Sequence, residues 1–248
     1  MIGVFDSGSG GLTVAAAIRR LDPHADLMYF GDLANAPYGN RTNGELSSFT
    51  DHLIQFLEAR GATTIVSACN SISCSVIRPR LLYQQIIEMV GPAVTSLVKQ
   101  QIHEVAILAT VATCRSNVYS DACKGASIHA LEIPCPTLAT GIELGDKKII
   151  TKSIREALQK IPPSISHVLL ACTHYPLVCK QFEQLARKLG RRLTFIDPAS
   201  AVAEAALRQH GEKGVGQITV FSSKRSSTFD CFVTNMLGVK PADIQIIS

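Results

Sequence analysis

Seven short apolar segments recur along the chain, and amphipathic segments of helical length lie between several of them. Each apolar segment is almost continuously hydrophobic, a pattern typical of strands that are buried on both faces of a parallel sheet. Strands that alternate with helices predict an α/β fold, in which helices cover both faces of mainly parallel sheets. The predicted strands are IGVF, LMYFG, TTIVSA, EVAILAT, HVLLAC, RLTFID and ITVFSS, and the predicted helices cover residues 12–21, 45–60, 76–90, 116–124, 150–160, 177–189 and 199–209.

The chain contains a weak internal duplication. The stretch TTIVSACNSISC is echoed by SHVLLACTHYPL, and in both a strand runs into Ala-Cys followed by small or hydrogen-bonding residues. Asp6 precedes the first of these cysteines, Cys69, by 63 positions, and Thr110 precedes the second, Cys172, by 62. The matching offsets predict two related α/β units. Because ligands collect at the carboxyl ends of strands in open parallel sheets, the loops that carry these residues are predicted to surround a binding site.

The composition restricts the class of protein. With 248 residues the chain can form a large core in one domain or in two of roughly a hundred residues each. The net charge is +4 and the basic residues are scattered, without a zinc-finger or aromatic RNA-binding pattern. No apolar run approaches the roughly 18 to 20 residues that span a bilayer, and MIGVFD opens the chain without a basic n-region or cleavage site. We therefore expect a cytoplasmic protein without nucleic-acid or membrane partners.

The cysteines are expected to be reduced in the cytoplasm. None of them forms a C-x-x-C pair, so a structural zinc site is poorly supported. Free cysteine is among the most buried residue types, and packing is the default interpretation for each. The eight are Cys69, Cys74, Cys114, Cys123, Cys135, Cys172, Cys179 and Cys231.

The glycine-rich loop DSGSGG follows the first predicted strand but fits no nucleotide-binding pattern. It lacks the third glycine of G-x-G-x-x-G, and no G-K-[ST] follows, so dinucleotide binding is disfavoured although Asp32 lies at a suitable distance for a ribose contact. Two interpretations stay open. The glycines form a tight turn, or they let the backbone approach a small anion while Asp6 and Ser7 point into a pocket.

Two further loops have both a structural and a functional interpretation. The segment APYGNR is typical of a turn, but its backbone amides and Tyr38 could also bind a carboxylate. Thr110 and Thr113, three residues apart in ATVATCRS, could cap the next helix or bind the carboxylate or amine of a substrate.

The repeated cysteine points to one kind of chemistry. A nucleophilic cysteine enzyme needs one cysteine, one base and an oxyanion hole, which leaves a second cysteine in the same frame without a role. Inversion of a carbon stereocentre is different, because one group removes a proton from one face while another returns a proton to the opposite face. Two related units that close on one cleft would supply that arrangement with Cys69 and Cys172.

Six motifs resemble, in order and spacing across nearly the whole chain, those of the glutamate racemases: GVFDSGSGGLTV, YFGDLANAPYG, VSACNS, LATVATCRSNVY, LLACTHYPL and FIDPASAVA. The resemblance implies a racemase without metal or cofactor that interconverts L- and D-glutamate for peptidoglycan. It also implies two α/β domains with the active site in the cleft between them, and frequently a homodimer. The second domain, residues 95–206, would be inserted into the first, residues 1–94 and 207–248.

The resemblance also implies roles for individual residues. Cys69 and Cys172 would be the acid-base pair, assisted by Asp6 and His174 respectively, and Glu143 in TGIELG resembles an acidic residue near the second cysteine. Asp6 and His174 are also expected among the residues that bind the amino acid. The other residues implied in substrate binding are Ser7, Pro37, Tyr38, Gly39, Asn70, Ser71, Thr110, Thr113 and Thr173.

Three positions depart from the usual family pattern, and one of these changes, at residue 171, bears on the identity of the substrate. Ser71 stands where threonine is common, Cys74 where alanine is common, and Ala171 where glycine is usual, a change expected to narrow the pocket. The alternatives that stay open are a racemase of aspartate or another acidic amino acid, a Cys-His hydrolase that uses Cys172 with His174, and a binding protein without activity. A decarboxylase of this architecture would need only one of the two cysteines.

Overall fold

The computed structural model describes residues 1–79, 83–211 and 213–247, apart from the side chain of Asn40. Its described strands form two sheets, and every pair of neighbouring strands is parallel. The strands are β1 (Ile2–Asp6), β2 (Leu27–Gly31), β3 (Thr64–Ser67), β4 (Glu104–Ala109), β5 (His129–Pro134), β6 (His167–Ala171), β7 (Thr194–Ile196), β8 (Ile218–Ser222) and β9 (Gln245–Ile246).

Helices connect the strands, and several begin at a side-chain cap. Thr42 and Glu45 form a reciprocal capping box at the start of α2, while the Asp146 carboxylate caps α8 and the Ser226 hydroxyl caps α11. The helices are α1 (Leu12–Leu21), α2 (Asn43–Glu58), α3 (Asn70–Ile72), α4 (Val90–Lys99), α5 (Val111–Arg115), α6 (Val118–Gly125), α7 (Leu138–Glu143), α8 (Lys147–Gln159), α9 (Cys179–Lys188), α10 (Ala199–His210) and α11 (Ser227–Leu237).

The two sheets share a three-strand arrangement. The first sheet has the order β3-β1-β2-β8-β9 and the second the order β5-β4-β6-β7. In each sheet the first strand of the unit lies between the next two strands of the sequence. β1 is flanked by β2 and β3, and β4 is flanked by β5 and β6. The predicted pair of related α/β units with mainly parallel sheets is therefore confirmed. Its consequence is that the loops after β1, β3, β4 and β6 emerge at equivalent positions of the two sheets.

Each sheet is buried on both faces, as the continuous apolar strands predict. In β4, Ala106 and Leu108 pack into the core on one side, and Val105 and Ile107 pack into the core on the other. The first sheet is similarly sandwiched between two apolar clusters. These buried layers fix the strand ends on which the site is built.

The chain passes from the first sheet to the second through α4 and returns through α10, which contacts α4 and packs against α1. The apolar face of α10, which includes Val202 and Ala206, belongs to the core of the first sheet. The domain boundaries at residues 95 and 207, the second of which falls within α10, stay a prediction. The segment GPAVTSL, which contains the first of these boundaries, lies inside α4.

One predicted helix is wrong. The segment 76–90 does not form a continuous helix: Val76 and Ile77 end a π-helical turn that begins at Ser73, and Ile87 forms a bridge with Val66 in β3. Residues 80–82 of this segment lie outside the described residues. The elements that the sequence pattern missed are β5, β9, α3, α4, α5, α7 and α11.

Within the described ranges, the structure contains no helix with the length and hydrophobicity needed to cross a membrane.

Candidate active site

A cavity of about 290 Å³ lies where the carboxyl ends of the two sheets meet. Residues from both sheets line it, which is the arrangement expected for parallel sheets. The structure thus brings together almost all of the residues singled out from the sequence. Those that line the cavity are Asp6, Ser7, Pro37, Tyr38, Gly39, Cys69, Asn70, Ser71, Thr110, Glu143, Cys172, Thr173 and His174.

The two repeated cysteines come from different sheets and line the same cavity. Cys69 lies just past the end of β3, at the N-cap of α3, and Cys172 directly follows β6. Both are free thiols and almost fully buried, with 4% and 5% of their surfaces exposed. The equivalent strand ends therefore present one thiol each from the two halves of the molecule.

Cys69 lies in a region that disfavours a negative charge. Burial raises the pKa of its thiol well above the usual value, and the nearby carboxylate of Asp6 raises it further. Hydrogen bonding from the backbone N–H groups of Ile72 and Ser71 opposes this shift only in part. Cys69 is therefore held as a thiol in the free protein.

Asp6, at the end of β1, is completely buried. Its Oδ2 accepts hydrogen bonds from the Gly11 N–H at 2.7 Å and from the Thr173 hydroxyl at 3.3 Å. Its Oδ1 has no hydrogen-bond partner among the described residues. Burial raises the pKa of Asp6 to about 6, against the opposing effects of His174 and the Gly11 amide. Because Asp6 lines the cavity, this buried acceptor atom is suited to a ligand that carries N–H groups.

Cys172 lies beside a histidine and a glutamate. The His174 Nδ1 is 3.8 Å from the Cys172 Sγ, and the His174 Nε2 is 2.7 Å from the Glu143 Oε1. Burial lowers the pKa of His174, but hydrogen bonds to Cys172 and Glu143 outweigh burial and raise it well above the usual value. The raised pKa favours the imidazolium form of His174, in which both ring nitrogens carry a proton and can donate a hydrogen bond. The arrangement gives Cys172 a cationic neighbour where Cys69 has an anionic one.

The glycines of DSGSGG allow the two halves to meet. A Cβ atom on Gly8 would collide with the Glu143 Oε1, and one on Gly10 would lie 2.7 Å from the backbone nitrogen of His174. The Ser9 N–H donates a hydrogen bond to the Glu143 Oε1. Of the two open interpretations, close approach to an anion therefore has structural support, but the anion in contact is the side chain of Glu143.

The remaining polar wall is held from behind by buried partners. The Tyr38 hydroxyl donates to Asp32, and the Tyr119 hydroxyl donates to the Asn70 Oδ1 at 2.6 Å. The Asn70 Nδ2 has no hydrogen-bond partner among the described residues. It is therefore a buried donor in a residue that lines the cavity.

Two threonines predicted for this wall have different positions. Thr110 lines the cavity and also caps α5, because its hydroxyl oxygen accepts from the Thr113 N–H at 3.2 Å. Its Oγ1 is also 3.4 Å from the Ser71 Oγ of the other half. Thr113 is fully buried behind Thr110 and does not line the cavity.

Comparison with known proteins identifies the family. Residues 12–206 match the family model of the Asp/Glu/hydantoin racemases. The chain belongs to the Asp/Glu/hydantoin racemase family. A glutamate racemase of Aquifex aeolicus is 28% identical over 242 residues, which are 96% of this chain and 94% of the relative.

Solved structures of racemases in this family have the same fold. A glutamate racemase isoform from Bacillus anthracis is 29% identical, with a TM-score of 0.86 and coverage of 100% of this chain and 97% of the other. A glutamate racemase from Francisella tularensis, solved in complex with D-glutamate, is 25% identical, with a TM-score of 0.84 and the same two coverages. The expected two-domain α/β racemase fold is therefore confirmed.

Two departures from the usual racemase pattern lie outside the cavity lining. Ala171 is fully buried, packs in the apolar cluster that it shares with Val105 and Ile107, and does not line the cavity, so its methyl group does not narrow the pocket as expected from the sequence. Cys74, only 1% exposed, packs in the same cluster. Ser71 does line the cavity, and it keeps a hydroxyl there.

The sequence analysis missed one side of the racemase pocket. This side follows β5, whose mixed polar pattern was not recognised as a strand, so the loop at its carboxyl end was not considered apart from Glu143. The missed lining residues on this side are Cys135, Pro136, Ala139, Thr140 and Leu144. Ala36, beside Pro37, and Val111, beside Thr110, were also missed.

Within the described residues, no group of three or more His, Cys, Asp or Glu side chains is placed to hold a metal ion.

Proposed function

We propose that this protein is a cofactor-independent glutamate racemase that interconverts L- and D-glutamate and supplies D-glutamate for peptidoglycan. The observation that carries the proposal is the pair of thiols, Cys69 and Cys172, which line one cavity from equivalent strand ends of two related halves. The relatives that match nearly the whole chain bear the name glutamate racemase, and the Francisella tularensis protein was solved with D-glutamate.

In the proposed reaction, the thiolate of one cysteine takes the α-proton of glutamate. The electron pair of the broken C–H bond stays on the α-carbon and is delocalised into the α-carboxylate. The thiol of the other cysteine then donates its proton to the opposite face, and a new C–H bond forms with inverted configuration. The two cysteines exchange protonation states in each turnover, so that each is the base in one direction and the acid in the other.

The developing charge needs preorganised donors, because a proton α to a carboxylate is very weakly acidic. The Asn70 Nδ2 is a buried donor without a protein partner in the described part of the chain, and Ser71, Thr110 and Thr173 add hydroxyl groups to the cavity wall. We assign these groups to the substrate carboxylates. The unpaired Oδ1 of Asp6 is suited to the α-ammonium group.

Different neighbours are assigned to assist proton transfer at each of the two cysteines. We assign Asp6 to the Cys69 side and the His174–Glu143 pair to the Cys172 side, since the Sγ–Nδ1 and Nε2–Oε1 distances are 3.8 and 2.7 Å. Pro37, Tyr38, Gly39 and Ser7 are assigned to substrate binding on the same wall. Thr113 is assigned a supporting role behind Thr110, whose hydroxyl donates to the Thr113 Oγ1 at 3.0 Å.

A cytoplasmic location and a homodimer are part of the proposal. Glutamate is the proposed partner, and neither nucleic acid nor membrane is included. Sedimentation velocity of the purified chain distinguishes a dimer, near twice the 26.7 kDa chain mass, from a monomer.

Two other activities are compatible with the same site. A racemase of aspartate or another acidic amino acid would use the same two thiols, and relative turnover of glutamate and aspartate distinguishes it. The contact between Cys172 and His174 also resembles a Cys-His hydrolase pair. A hydrolase would form an acyl-enzyme with a reactive ester, which mass spectrometry of the intact protein detects, and it would leave Cys69 without a role.

Proton NMR of L-glutamate with the purified protein in D₂O and reductant tests the proposal. We expect the α-proton signal to disappear and the product to contain D-glutamate. A folded sample that exchanges aspartate but not glutamate would support the aspartate alternative. A sample that exchanges neither would overturn the racemase proposal.

Dialysis against a chelator provides a separate test of the proposed mechanism. The reaction is assigned only to side chains of the protein, so activity should survive exhaustive dialysis. Loss of activity that is restored by a metal ion or by pyridoxal phosphate would contradict a racemase that works with thiols alone.

A further inference from the structure

Ser9 lies in the loop after β1, in the half that carries Cys69, yet it binds a carboxylate of the other half. It is completely buried. Its N–H donates to the Glu143 Oε1, and its hydroxyl donates to the Glu143 Oε2 at 2.9 Å. Two donors from one residue therefore hold both oxygens of the same carboxylate.

Glu143 transmits this contact toward Cys172. Its Oε1 accepts a hydrogen bond from the His174 Nε2 at 2.7 Å, and the His174 Nδ1 is 3.8 Å from the Cys172 Sγ. The Ser9 hydroxyl is the only hydrogen-bond donor to the Glu143 Oε2 among the described residues. The rotation of the carboxylate about its last side-chain bond is thus fixed by a group on the opposite half of the molecule.

The loop packs closely against Glu143 and His174. A Cβ atom on Gly8 would collide with the Glu143 Oε1, and one on Gly10 would lie 2.7 Å from the His174 Nδ1. Ser9 is the residue between these two glycines, and it does not line the cavity. It therefore contacts Glu143 without contacting the position of a substrate.

We propose that Ser9 is a positioning residue for proton transfer at Cys172: its hydroxyl fixes the Glu143 carboxylate in the orientation that directs His174 at the Cys172 sulfur. The inference rests on the proposed racemase function, in which Cys172 is one of the two acid-base groups. Ser9 acts only through Glu143 and His174, so its removal should affect the rate of proton transfer more than the binding of substrate.

The expected effect on the pH profile depends on the charged and titratable groups around the hydrogen-bonded series Ser9, Glu143, His174 and Cys172. Burial raises the pKa of Glu143, but hydrogen bonds from His174 and Ser9 lower it below the usual value. His174, Cys172 and Asp6 face the pair from the cavity side, and Tyr29 and Cys69 lie within electrostatic range of Asp6. Loss of the Ser9 hydroxyl removes one of the bonds that favour the Glu143 carboxylate, and it should therefore raise the pKa of that group.

The test compares Ser9→Ala with Thr13→Val, kinetically and by thermal unfolding. Thr13 belongs to the first turn of α1, and its buried hydroxyl donates to the Gly10 carbonyl at 2.9 Å without contacting Glu143. Thr13→Val thus removes one buried hydrogen bond from the same loop. For Ser9→Ala we expect kcat to fall about tenfold, as for the loss of one hydrogen bond to a charged group, with KM changed less than about twofold. The acid limb of the kcat/KM profile should move to higher pH in Ser9→Ala and stay in place in Thr13→Val.

A double-mutant cycle with Glu143→Gln separates positioning from general destabilisation. If Ser9 acts through Glu143, the double variant Ser9→Ala/Glu143→Gln should be no slower than Glu143→Gln alone. Losses that multiply, or a kcat unchanged in Ser9→Ala, would overturn the proposal.

A measurement without turnover keeps this test independent of the racemase proposal. The pH dependence of alkylation by iodoacetamide is followed by mass spectrometry at Cys172 and at Cys69 in the same samples. Ser9→Ala should change the profile of Cys172 and leave that of Cys69 unchanged. If the wild-type protein does not racemise glutamate, the proposed function fails. The alkylation profile would still show whether Ser9 positions the groups around Cys172. A profile in which both thiols change equally, or neither changes, would overturn the positioning role.

Discussion

At the scale of single residues, the two thiols have unlike neighbours although the reaction treats two mirror-image substrates. Asp6 lies on the Cys69 side, and His174 lies on the Cys172 side. L- and D-glutamate have the same free energy in water, so kcat/KM must be equal in the two directions. The unlike surroundings can therefore appear only in kcat and KM taken separately, which should differ between the two enantiomers.

Removal of either thiol should abolish racemisation. For Cys69→Ala and for Cys172→Ala we expect a loss of at least about 10³-fold, within the range that a positioned acid or base contributes. Chirality-resolved assays of both enantiomers measure it. Cys231→Ala is the matched control, because Cys231 is an exposed free thiol that does not line the cavity. Full activity in either of the first two variants would refute the two-base assignment.

Asp6 should make the stability of the protein depend on pH. Burial raises its pKa from 3.8 to about 6 in the folded state. The folded state therefore binds the proton more tightly than the unfolded state, and this contribution to stability is complete below pH 3.8 and is lost as the pH rises through about 6. The shift corresponds to a fall of about 3 kcal/mol in the free energy of unfolding.

Urea denaturation between about pH 4 and pH 7 measures this fall. The Asp6→Asn variant keeps an acceptor for the Gly11 N–H but has no proton to titrate, so its stability should decline less over the same interval. Equal pH dependence in the two proteins would show that Asp6 is not the titrating group.

At the scale of elements, the loop between β1 and α1 requires glycine because a second loop passes against it. A Cβ atom on Gly10 would lie 2.5 Å from the Thr173 Oγ1 and 2.7 Å from the backbone nitrogen of His174. The backbone of the second half cannot move aside as a side chain can. The loop thus serves as an interface between the two sheets as well as a wall of the site.

Gly10→Ala should destabilise the protein by about 1 to 3 kcal/mol, as overpacking does, and should reduce kcat because Thr173 and His174 are displaced. Gly125→Ala is the control: Gly125 ends α6, and a Cβ atom there would meet nothing within 4 Å. The control should be neutral or stabilised by up to about 1 kcal/mol. Thermal unfolding with activity assays measures both, and equal behaviour of the two variants would argue against a tight loop contact.

The elements that could be predicted from the sequence are those whose burial is uniform. Helix α1 begins and ends as the pattern predicts, at residues 12 and 21, because one face of it is buried along its length. The edge strand β5 was missed because His129 and Pro134 are exposed, so its burial does not follow the apolar pattern of a central strand. Helix α4 was missed because Gly91 and Pro92 obscure a helix that accommodates proline in its first turn.

At the scale of the whole molecule, the cavity is shared between two sheets, so a ligand in it contacts both. We expect D-glutamate to raise the unfolding temperature of both halves together in a single transition. At about 100 times the dissociation constant the stabilisation should be about 2.7 kcal/mol. Differential scanning calorimetry of Cys69→Ala measures it without turnover. Two transitions, of which only one moves with ligand, would contradict a site built by both halves.

The meeting of the two cysteines could be predicted because their offsets from Asp6 and Thr110 repeat, at 63 and 62 positions. The structure adds what no offset contains, namely which side chains meet across the halves. The link from Ser9 to Glu143 joins residues 134 positions apart, and nothing in their local sequence pairs them. For Thr113 the motif predicts a place in the binding site, but it does not reveal that the side chain lies behind Thr110.

The pairing of β2 with β8 also has a consequence for synthesis of the chain. The strands of the second sheet follow one another in the sequence, and the last of them ends at residue 196. The first sheet is completed only when β8 and β9, within residues 218–246, have been synthesised. At the usual speed of a ribosome, β2 emerges roughly 10 to 40 s before its neighbour β8. During that interval an apolar strand that is buried in the finished protein has an open edge, a template for aggregation. We expect nascent chains that stop before β8 to protect the amides of β4 and β6 from hydrogen exchange before those of β1 and β2, and to need chaperones until β8 is added.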